Sequence, residues 1–186
     1  ALTDHDPPLP PAKPWDPTGN VSYCASMHKT LAPGMRLGWL LGGRWKARIA
    51  MLKFAQSRPN EPLAQMAVAE YLGSRAYDRH LARLRRLLKT QRDQTAEVIA
   101  AHFPRGTRLS MPTGGMLLWV EMPDGRSGLE VFEAALQQGI RVAPGAMFSN
   151  SARYNHFLRI SCGQRHTPEI ARALVTLARI VGARQP

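Results

Sequence analysis

The most informative segment of this chain is Ser26-Met-His-Lys-Thr-Leu-Ala-Pro-Gly-Met-Arg-Leu-Gly-Trp39. It places one lysine and one arginine, Lys29 and Arg36, on a turn between two apolar runs. Pro33 and Gly34 bend the chain between them, because proline presets φ and glycine accepts backbone angles that a side chain would forbid. The stretch therefore predicts a strand, a sharp turn that carries both cations, and a second strand.

The two cations offer different chemistry. The Lys29 amine can form a Schiff base with an aldehyde once desolvation or cationic neighbours leave it partly neutral. The planar guanidinium of Arg36 suits a phosphate, and the Ser26 hydroxyl adds a further donor. The pattern indicates an anchor for a cofactor that carries both an aldehyde and a phosphate. The alternative is two ordinary solvated cations beside a Pro-Gly turn, since the chain has 25 Lys and Arg.

The same stretch resembles the Schiff-base signature of fold type I pyridoxal-phosphate (PLP) enzymes, the aminotransferase class I/II superfamily. In that signature, Ser-x-x-Lys is followed by an apolar turn and Arg-x-Gly. The resemblance implies that Lys29 is the catalytic lysine that bonds to PLP, and that Arg36 and Ser26 bind its phosphate. His28 departs from the signature, since close relatives usually have serine there.

Three further stretches follow in the order of this family. Pro112-Thr-Gly-Gly-Met-Leu-Leu-Trp-Val-Glu121 is similar to the strand that enters the small domain, and Gly139-Ile-Arg-Val-Ala-Pro-Gly-Ala-Met-Phe-Ser149 resembles a Gly-Val-x-Val-x-Pro-Gly-x-x-Phe segment. Phe157-Leu-Arg-Ile-Ser-Cys-Gly163 is similar to the strand whose arginine binds the substrate carboxylate. The resemblance therefore implies that Arg159 is the substrate clamp.

Two stretches favour one branch of the superfamily. His80-Leu-Ala-Arg-Leu-Arg-Arg-Leu-Leu-Lys-Thr-Gln-Arg-Asp93 and Leu158-Arg-Ile-Ser-Cys-Gly163 look like the aminotransferase-like effector domain of MocR-type regulators, a subgroup of the GntR family. In those proteins the domain follows a winged helix-turn-helix. The resemblance implies an amino acid or amine ligand, a cytoplasmic homodimer, and contact with DNA only through an N-terminal domain outside this chain.

The expected architecture is α/β plus α+β, the C-terminal part of the PLP-dependent transferase fold. The predicted domains are an extended lead-in at 1–19, the end of the large PLP-binding domain at 20–104, and a small α+β domain at 105–186. Buried strands are expected at 21–25 and 37–41, further strands at 107–111, 115–121, 140–142 and 156–161, and helices at 45–56, 63–103 with an interruption near Gly73, 128–138 and 167–182.

Composition limits the other classes of function. With 186 residues, 44% of them hydrophobic, the chain can bury a core. No apolar run reaches the roughly 18–20 residues that a membrane span needs, and the N-terminal stretch lacks the pattern of a signal peptide. Cys24 and Cys162 have no metal-ligand spacing and lie in apolar contexts, so we expect two free buried thiols and no metal site.

The net charge of +12 would suit a nucleic acid or another polyanion. The cations from Arg79 to Arg92, however, alternate with leucines at helical spacing, which favours an amphipathic helix with a solvated basic face. Two alternatives to the regulator therefore stay open. One is a stand-alone aminotransferase that acts on an amino acid, and the other is a basic nucleic-acid-binding module on a degenerate fold.

One part of the family pattern is missing. The family's aspartate that pairs with the pyridine nitrogen lies a few tens of residues before the Schiff-base lysine, but only 28 residues precede Lys29. Asp4 and Asp6 lie in a proline-rich setting unlike that strand end. We therefore expect a C-terminal half of a longer protein. Its own transaminase activity should be poor, because the acidic partner supplies much of the electron-sink power of the cofactor.

Overall fold

The computed structural model describes residues 2–5 and 10–183 of the chain. The chain divides into two compact units, residues 1–84 and 85–186, and the division falls inside one long helix. Asp6, one of the three aspartates among residues 1–19, lies outside the described residues.

The first unit contains a β-hairpin followed by helices. Strand β1 (Tyr23–Ser26) pairs antiparallel with β2 (Gly38–Leu41). The helices are α1 (Lys46–Gln56), α2 (Pro62–Leu72) and the first part of α3 (Arg75–His102). The strand–turn–strand prediction and the interruption near Gly73 are therefore confirmed.

Local chemistry explains why these elements form where they do. A side chain at Gly38 would collide with the carbonyl oxygen of Ala25, so only glycine lets the two strands approach this closely. Helix α2 begins at a cap in which the Glu61 carboxylate accepts hydrogen bonds from the N–H groups of Leu63 (2.7 Å) and Ala64 (2.8 Å). The bonds from Ala64 and Leu63 hold the pKa of Glu61 below its ordinary value.

The lead-in folds around one carboxylate. Asp16 accepts hydrogen bonds from the Val21 N–H (2.6 Å) and the Thr18 hydroxyl (2.8 Å), and Lys13 lies 3.5 Å from it. The bond from Val21 contributes most to holding the pKa of Asp16 well below its ordinary value, although desolvation opposes it. These contacts fix the approach of the chain to β1.

The hairpin strands are not buried, and that prediction was wrong. All four residues of β2 are exposed, with Leu41 at 54%, and β1 alternates between half-buried and exposed positions. The Cys24 thiol is exposed for the same reason. The apolar side chains of β2 therefore remain in contact with solvent.

The second unit is a four-stranded antiparallel sheet with helices packed on one face. The strands lie in the order β3-β4-β6-β5. Their bounds are β3 (Arg108–Ser110), β4 (Leu117–Glu121), β5 (Ala143–Pro144) and β6 (Phe157–Ser161), and the helices are the end of α3, α4 (Gly128–Gln137) and α5 (Pro168–Gly182).

Every second residue along the two central strands, β4 and β6, is buried in the core of this unit. Leu118 and Val120 of β4, and Leu158 and Ile160 of β6, are buried with the inner faces of the helices. Burying each such side chain contributes about 1.5–3 kcal/mol. Because successive strand residues point to opposite faces, Arg159 lies on the face away from the helices.

The predicted strand at 140–142 does not form, and β5 covers only Ala143–Pro144. The Ile140 N–H instead donates to the Ala135 carbonyl oxygen (2.9 Å) and closes the end of α4, with Gly139 at φ +71°. The N–H that the prediction assigned to the sheet therefore belongs to a helix terminus.

Candidate functional site

Three of the predicted site residues lie on one loop, which joins β1 to β2. Ser26 ends β1, and the Met27 N–H donates to the Leu37 carbonyl oxygen (2.9 Å) at the base of the loop. Arg36 immediately precedes Leu37, and Lys29 lies inside the loop. The fold therefore brings Ser26, Lys29 and Arg36 together on one hairpin loop.

Bonds within the loop hold its shape. Met27 is only 2% exposed, and its carbonyl oxygen accepts from the N–H groups of Leu31 (2.9 Å) and Ala32 (3.2 Å). The His28 Nδ1 lies 3.0 Å from the Pro33 carbonyl oxygen, to which it must donate because a carbonyl only accepts. His28, which replaces the usual serine, therefore ties the two sides of the turn together.

Arg36 has an unusual backbone. Its φ of +47° lies in the left-handed region, which costs a residue with a side chain about 1–2 kcal/mol. The residue is the C-cap of the short 3₁₀ turn Pro33–Met35, which closes the loop tightly. The conformation leaves the guanidinium exposed.

The donor set of this loop fits a phosphate-bearing aldehyde. Lys29 and Arg36 are exposed, and neither forms an ion pair or a side-chain hydrogen bond with any described residue. The Ser26 Oγ accepts from the His28 N–H (3.2 Å), which leaves its own proton available to donate. An amine, a guanidinium and a hydroxyl therefore remain available without a competing carboxylate.

Arg159 belongs to the second unit and occupies the middle of β6. It lies opposite Trp119 of β4 and Ala143 of β5. Its guanidinium carbon lies 4.1 Å from the centroid of the Phe148 ring, and no carboxylate of the described residues pairs with it. The arrangement supports the guanidinium on one face by a cation–π contact and leaves its N–H donors available for an anion.

Aromatic side chains that the sequence did not single out surround this arginine. The Trp119 ring stacks on Phe157 (5.3 Å between centroids) and meets Phe148 (5.6 Å) and Tyr154 (5.4 Å) edge-on. Gly145 lets the turn that carries Phe148 lie against this cluster, because a side chain there would collide with the Tyr154 carbonyl oxygen. The motifs contain Trp119, Phe148 and Phe157, but only the fold places these rings near Arg159.

A buried polar cluster on α3 was also missed. Arg92 is 2% exposed, so the predicted solvated basic face does not include it. Its Nη1 donates to the carbonyl oxygen of Gly115 (3.1 Å), which has a φ of +78°. In the orientation that satisfies its amide, Gln91 donates to the carbonyl oxygens of Cys162 (2.8 Å) and Gln164 (3.1 Å). These bonds anchor the segments that precede β4 and follow β6.

The two cysteines differ in their surroundings. Cys162 is buried in the second core as predicted, and burial raises the pKa of its thiol, although Thr95 and Arg92 oppose that shift.

The described residues contain no group of three or more His, Cys, Asp or Glu that could hold a metal ion. Within the same residues, no helix has both the length and the apolar character for crossing a membrane.

Comparison with known proteins identifies the family. The family model described as aminotransferase class I and II matches residues 15–177. The chain therefore belongs to the aminotransferase class I/II family, as its motifs predicted.

Individual relatives agree with this assignment. The uncharacterized HTH-type transcriptional regulator YdcR of Escherichia coli is 31% identical over 94% of this chain and 37% of its own length, and YjiR of the same organism is 36% identical over 80% and 32%. The solved α-aminoadipate aminotransferase LysN of Thermus thermophilus, complexed with N-(5'-phosphopyridoxyl)-L-leucine, superposes with a TM-score of 0.88 at 25% identity, over 97% of this chain and 47% of that one.

The chain covers only part of the length of these relatives. It spans about a third of the length of the curated relatives and just under half of the solved aminotransferase. The chain is an aminotransferase-like domain with part of the PLP-dependent transferase fold, which confirms the predicted fold class.

Proposed function

We propose that this chain binds PLP at Lys29 and forms the effector-sensing part of a MocR-type transcriptional regulator. The observation that supports the proposal is the single hairpin loop on which Ser26, Lys29 and Arg36 lie together, with no carboxylate of the described residues paired to either cation. In the proposed domain division, residues 20–104 end the cofactor domain and residues 105–186 form the small domain.

Each residue has a distinct role in this proposal. PLP, when bound, supplies an electrophilic aldehyde and an electron sink. Lys29 provides the amine for that aldehyde, while Arg36 and Ser26 donate hydrogen bonds to the phosphate. Arg159 binds the carboxylate of an amino-acid-type ligand through its planar fork of donors. Ligand binding then shifts a two-state equilibrium of the domain.

The regulatory output rests on the relatives. Two of them carry the name HTH-type transcriptional regulator, and the chain covers about a third of each. DNA contact is accordingly proposed for an N-terminal domain, and not for the residues of this chain. The two free cysteines suit the reducing cytoplasm in which such a regulator would act.

Exposed apolar residues support a homodimer or an attached remainder of the cofactor domain. The first unit leaves several large hydrophobic side chains in solvent, which is uncommon for a surface without a partner. They include Trp39, Leu41, Trp45, Met51, Phe54, Leu63 and Met66.

A stand-alone aminotransferase is the second candidate, and the match to LysN over 97% of the chain favours it. In that case Lys29 would also move the proton between the substrate α-carbon and the cofactor. An upstream winged helix in the same reading frame would identify the regulator. Robust amino-group transfer by this chain alone, free of contaminating enzyme, would favour the enzyme.

The first test of the proposal is PLP titration of the full chain, followed by borohydride reduction and peptide mass analysis. We expect the label at Lys29, and Arg36→Ala should weaken binding about 10- to 100-fold, since it removes a charge-assisted hydrogen bond. Arg58→Ala is the matched control, because Arg58 is also an exposed arginine with positive φ (+59°). Labels scattered over many lysines would contradict the proposal.

A further inference from the structure

His80 ties the Lys29 loop to a helix. Its Nε2 lies 2.8 Å from the carbonyl oxygen of Thr30, the residue that follows Lys29. Among the described residues, this is the one hydrogen bond that joins loop residues 27–37 to an element outside the hairpin. The two bonded residues are 50 positions apart in the chain, so the contact belongs to the tertiary fold.

The direction of this bond follows from its acceptor. A carbonyl oxygen only accepts, so the Nε2 of His80 carries the hydrogen. The imidazole is half-buried and meets the ring of Tyr71 edge-on (6.5 Å between centroids), and Tyr71 meets Tyr77 in the same way (5.7 Å). These rings restrict the orientation of the donor, so the bond can hold Thr30 in place.

The other hydrogen bonds of the loop stabilise its internal shape. The bonds from Leu31 and Ala32 to Met27, and from His28 to Pro33, lie within the loop and set its shape. They do not determine how the loop is oriented relative to α3. Lys29 is exposed, and its side chain forms no hydrogen bond with a described residue, so hydrogen bonds act on this part of the loop only through its backbone.

We propose that His80 is a positioning residue for Lys29. By holding the Thr30 carbonyl, it fixes the peptide between Thr30 and Leu31, one residue beyond the lysine, and thereby restricts the backbone from which the amine extends. This inference rests on the proposed function, because it assigns a role only if PLP bonds to Lys29. Its physical basis is preorganisation, since a reacting group held in one orientation loses less freedom when it reacts.

The test compares variants of His80 by their affinity for PLP, measured on the full chain from the visible absorption band, and by the share of borohydride-fixed label at Lys29. His80→Phe keeps a ring against Tyr71 but removes the donor. We expect affinity to fall about three- to tenfold, with part of the label moving to other lysines. His80→Gln places an amide N–H near the position of Nε2 and should stay within about twofold of the unmodified chain.

Two further variants keep the test decisive. His102→Phe makes the same exchange at an exposed histidine on the same helix and should leave affinity and labelling unchanged. If His80→Phe does not fold, His80→Asn takes its place in the test. The amide introduced by His80→Asn is one methylene closer to the backbone than the amide introduced by His80→Gln, so it does not reach the Thr30 carbonyl oxygen.

The two hypotheses fail in different ways. If the unmodified chain takes no label at Lys29, the proposed function is wrong and this inference falls with it. If it is labelled at Lys29 but His80→Phe or His80→Asn binds PLP equally well, His80 only packs against Tyr71 and the inference alone is overturned. The same holds if His80→Gln is as weak as the variant that lacks the donor.

Discussion

The two units of this chain use apolar residues in opposite ways. Residues 85–186 gather theirs into one continuous core between the sheet and three helices. In residues 1–84, the buried hydrophobic side chains among the described residues are Met27 and Val68, while large ones such as Leu41, Phe54 and Leu63 are exposed.

This difference shows where each candidate site gets its support. Arg159 lies on a strand whose other face is a completed core, so the second unit itself positions the proposed carboxylate clamp. Lys29 lies on a hairpin with exposed strands, and its position depends on a few hydrogen bonds, including the bond from His80. We therefore expect the first unit to need surfaces beyond the described residues, and the second unit to be stable without them.

Matched leucine truncations should have the largest effect. Leu177→Ala in the second core should destabilise the chain by about 2–5 kcal/mol, because it leaves a cavity among buried side chains. Leu41→Ala at an exposed strand position should change stability by no more than about 0.5 kcal/mol. Urea unfolding followed by circular dichroism measures both, and equal costs would show that the first unit has a core of its own.

A second contrast lies along helix α3. Arg92→Ala should cost about 2–4 kcal/mol, since it removes a buried side chain and leaves the Gly115 carbonyl without its donor. Arg86→Ala, on the exposed face of the same helix, should cost no more than about 0.5 kcal/mol. The same unfolding measurement applies, and a neutral Arg92→Ala would mean that the buried cluster does not stabilise the second unit.

A smaller effect concerns the aromatic support of Arg159. Phe148→Leu should raise the rate at which phenylglyoxal modifies Arg159 about two- to fivefold, because the cation–π contact is lost. Phe148→Tyr keeps a ring and should restore the slow rate, and Met147→Ala, at the exposed neighbouring position, is the control. Peptide mass analysis follows the modification at Arg159. Equal rates in all four proteins would show that the ring does not restrict the guanidinium.

The smallest effect is a pH dependence of helix capping. The pKa of Glu61 in the folded chain is lower than its ordinary value of 4.5. The cap that Glu61 forms is therefore fully present above pH 4.5 and is lost as the pH falls through the lower pKa of the folded chain. Helix α4 is capped by the Ser127 hydroxyl, which does not titrate in this range. Hydrogen exchange at acid pH should therefore lose protection at Leu63 and Ala64 while the start of α4 keeps it. In Glu61→Gln, the hydrogen-exchange protection at Leu63 and Ala64 should no longer change with pH.

Local signals explain what could be predicted. Pro33 and Gly34 mark the turn, the apolar run from Leu117 to Val120 marks a strand, and the interruption near Gly73 separates α2 from α3. All three signals act within a few residues. They do not report on burial, which is why the exposure of β2 and of Cys24 was not predicted.

The order of the motifs, the local elements and the residue types on the Lys29 loop follow from the amino-acid sequence. Which residues those elements bring together follows from the three-dimensional fold, because contacts across the chain depend on strand register and packing. The Trp119–Arg159 pairing, the burial of Arg92 and the His80–Thr30 bond are examples. Hydrophobic periodicity specifies a face of a helix or strand, but what covers that face comes only from the folded chain and its partners.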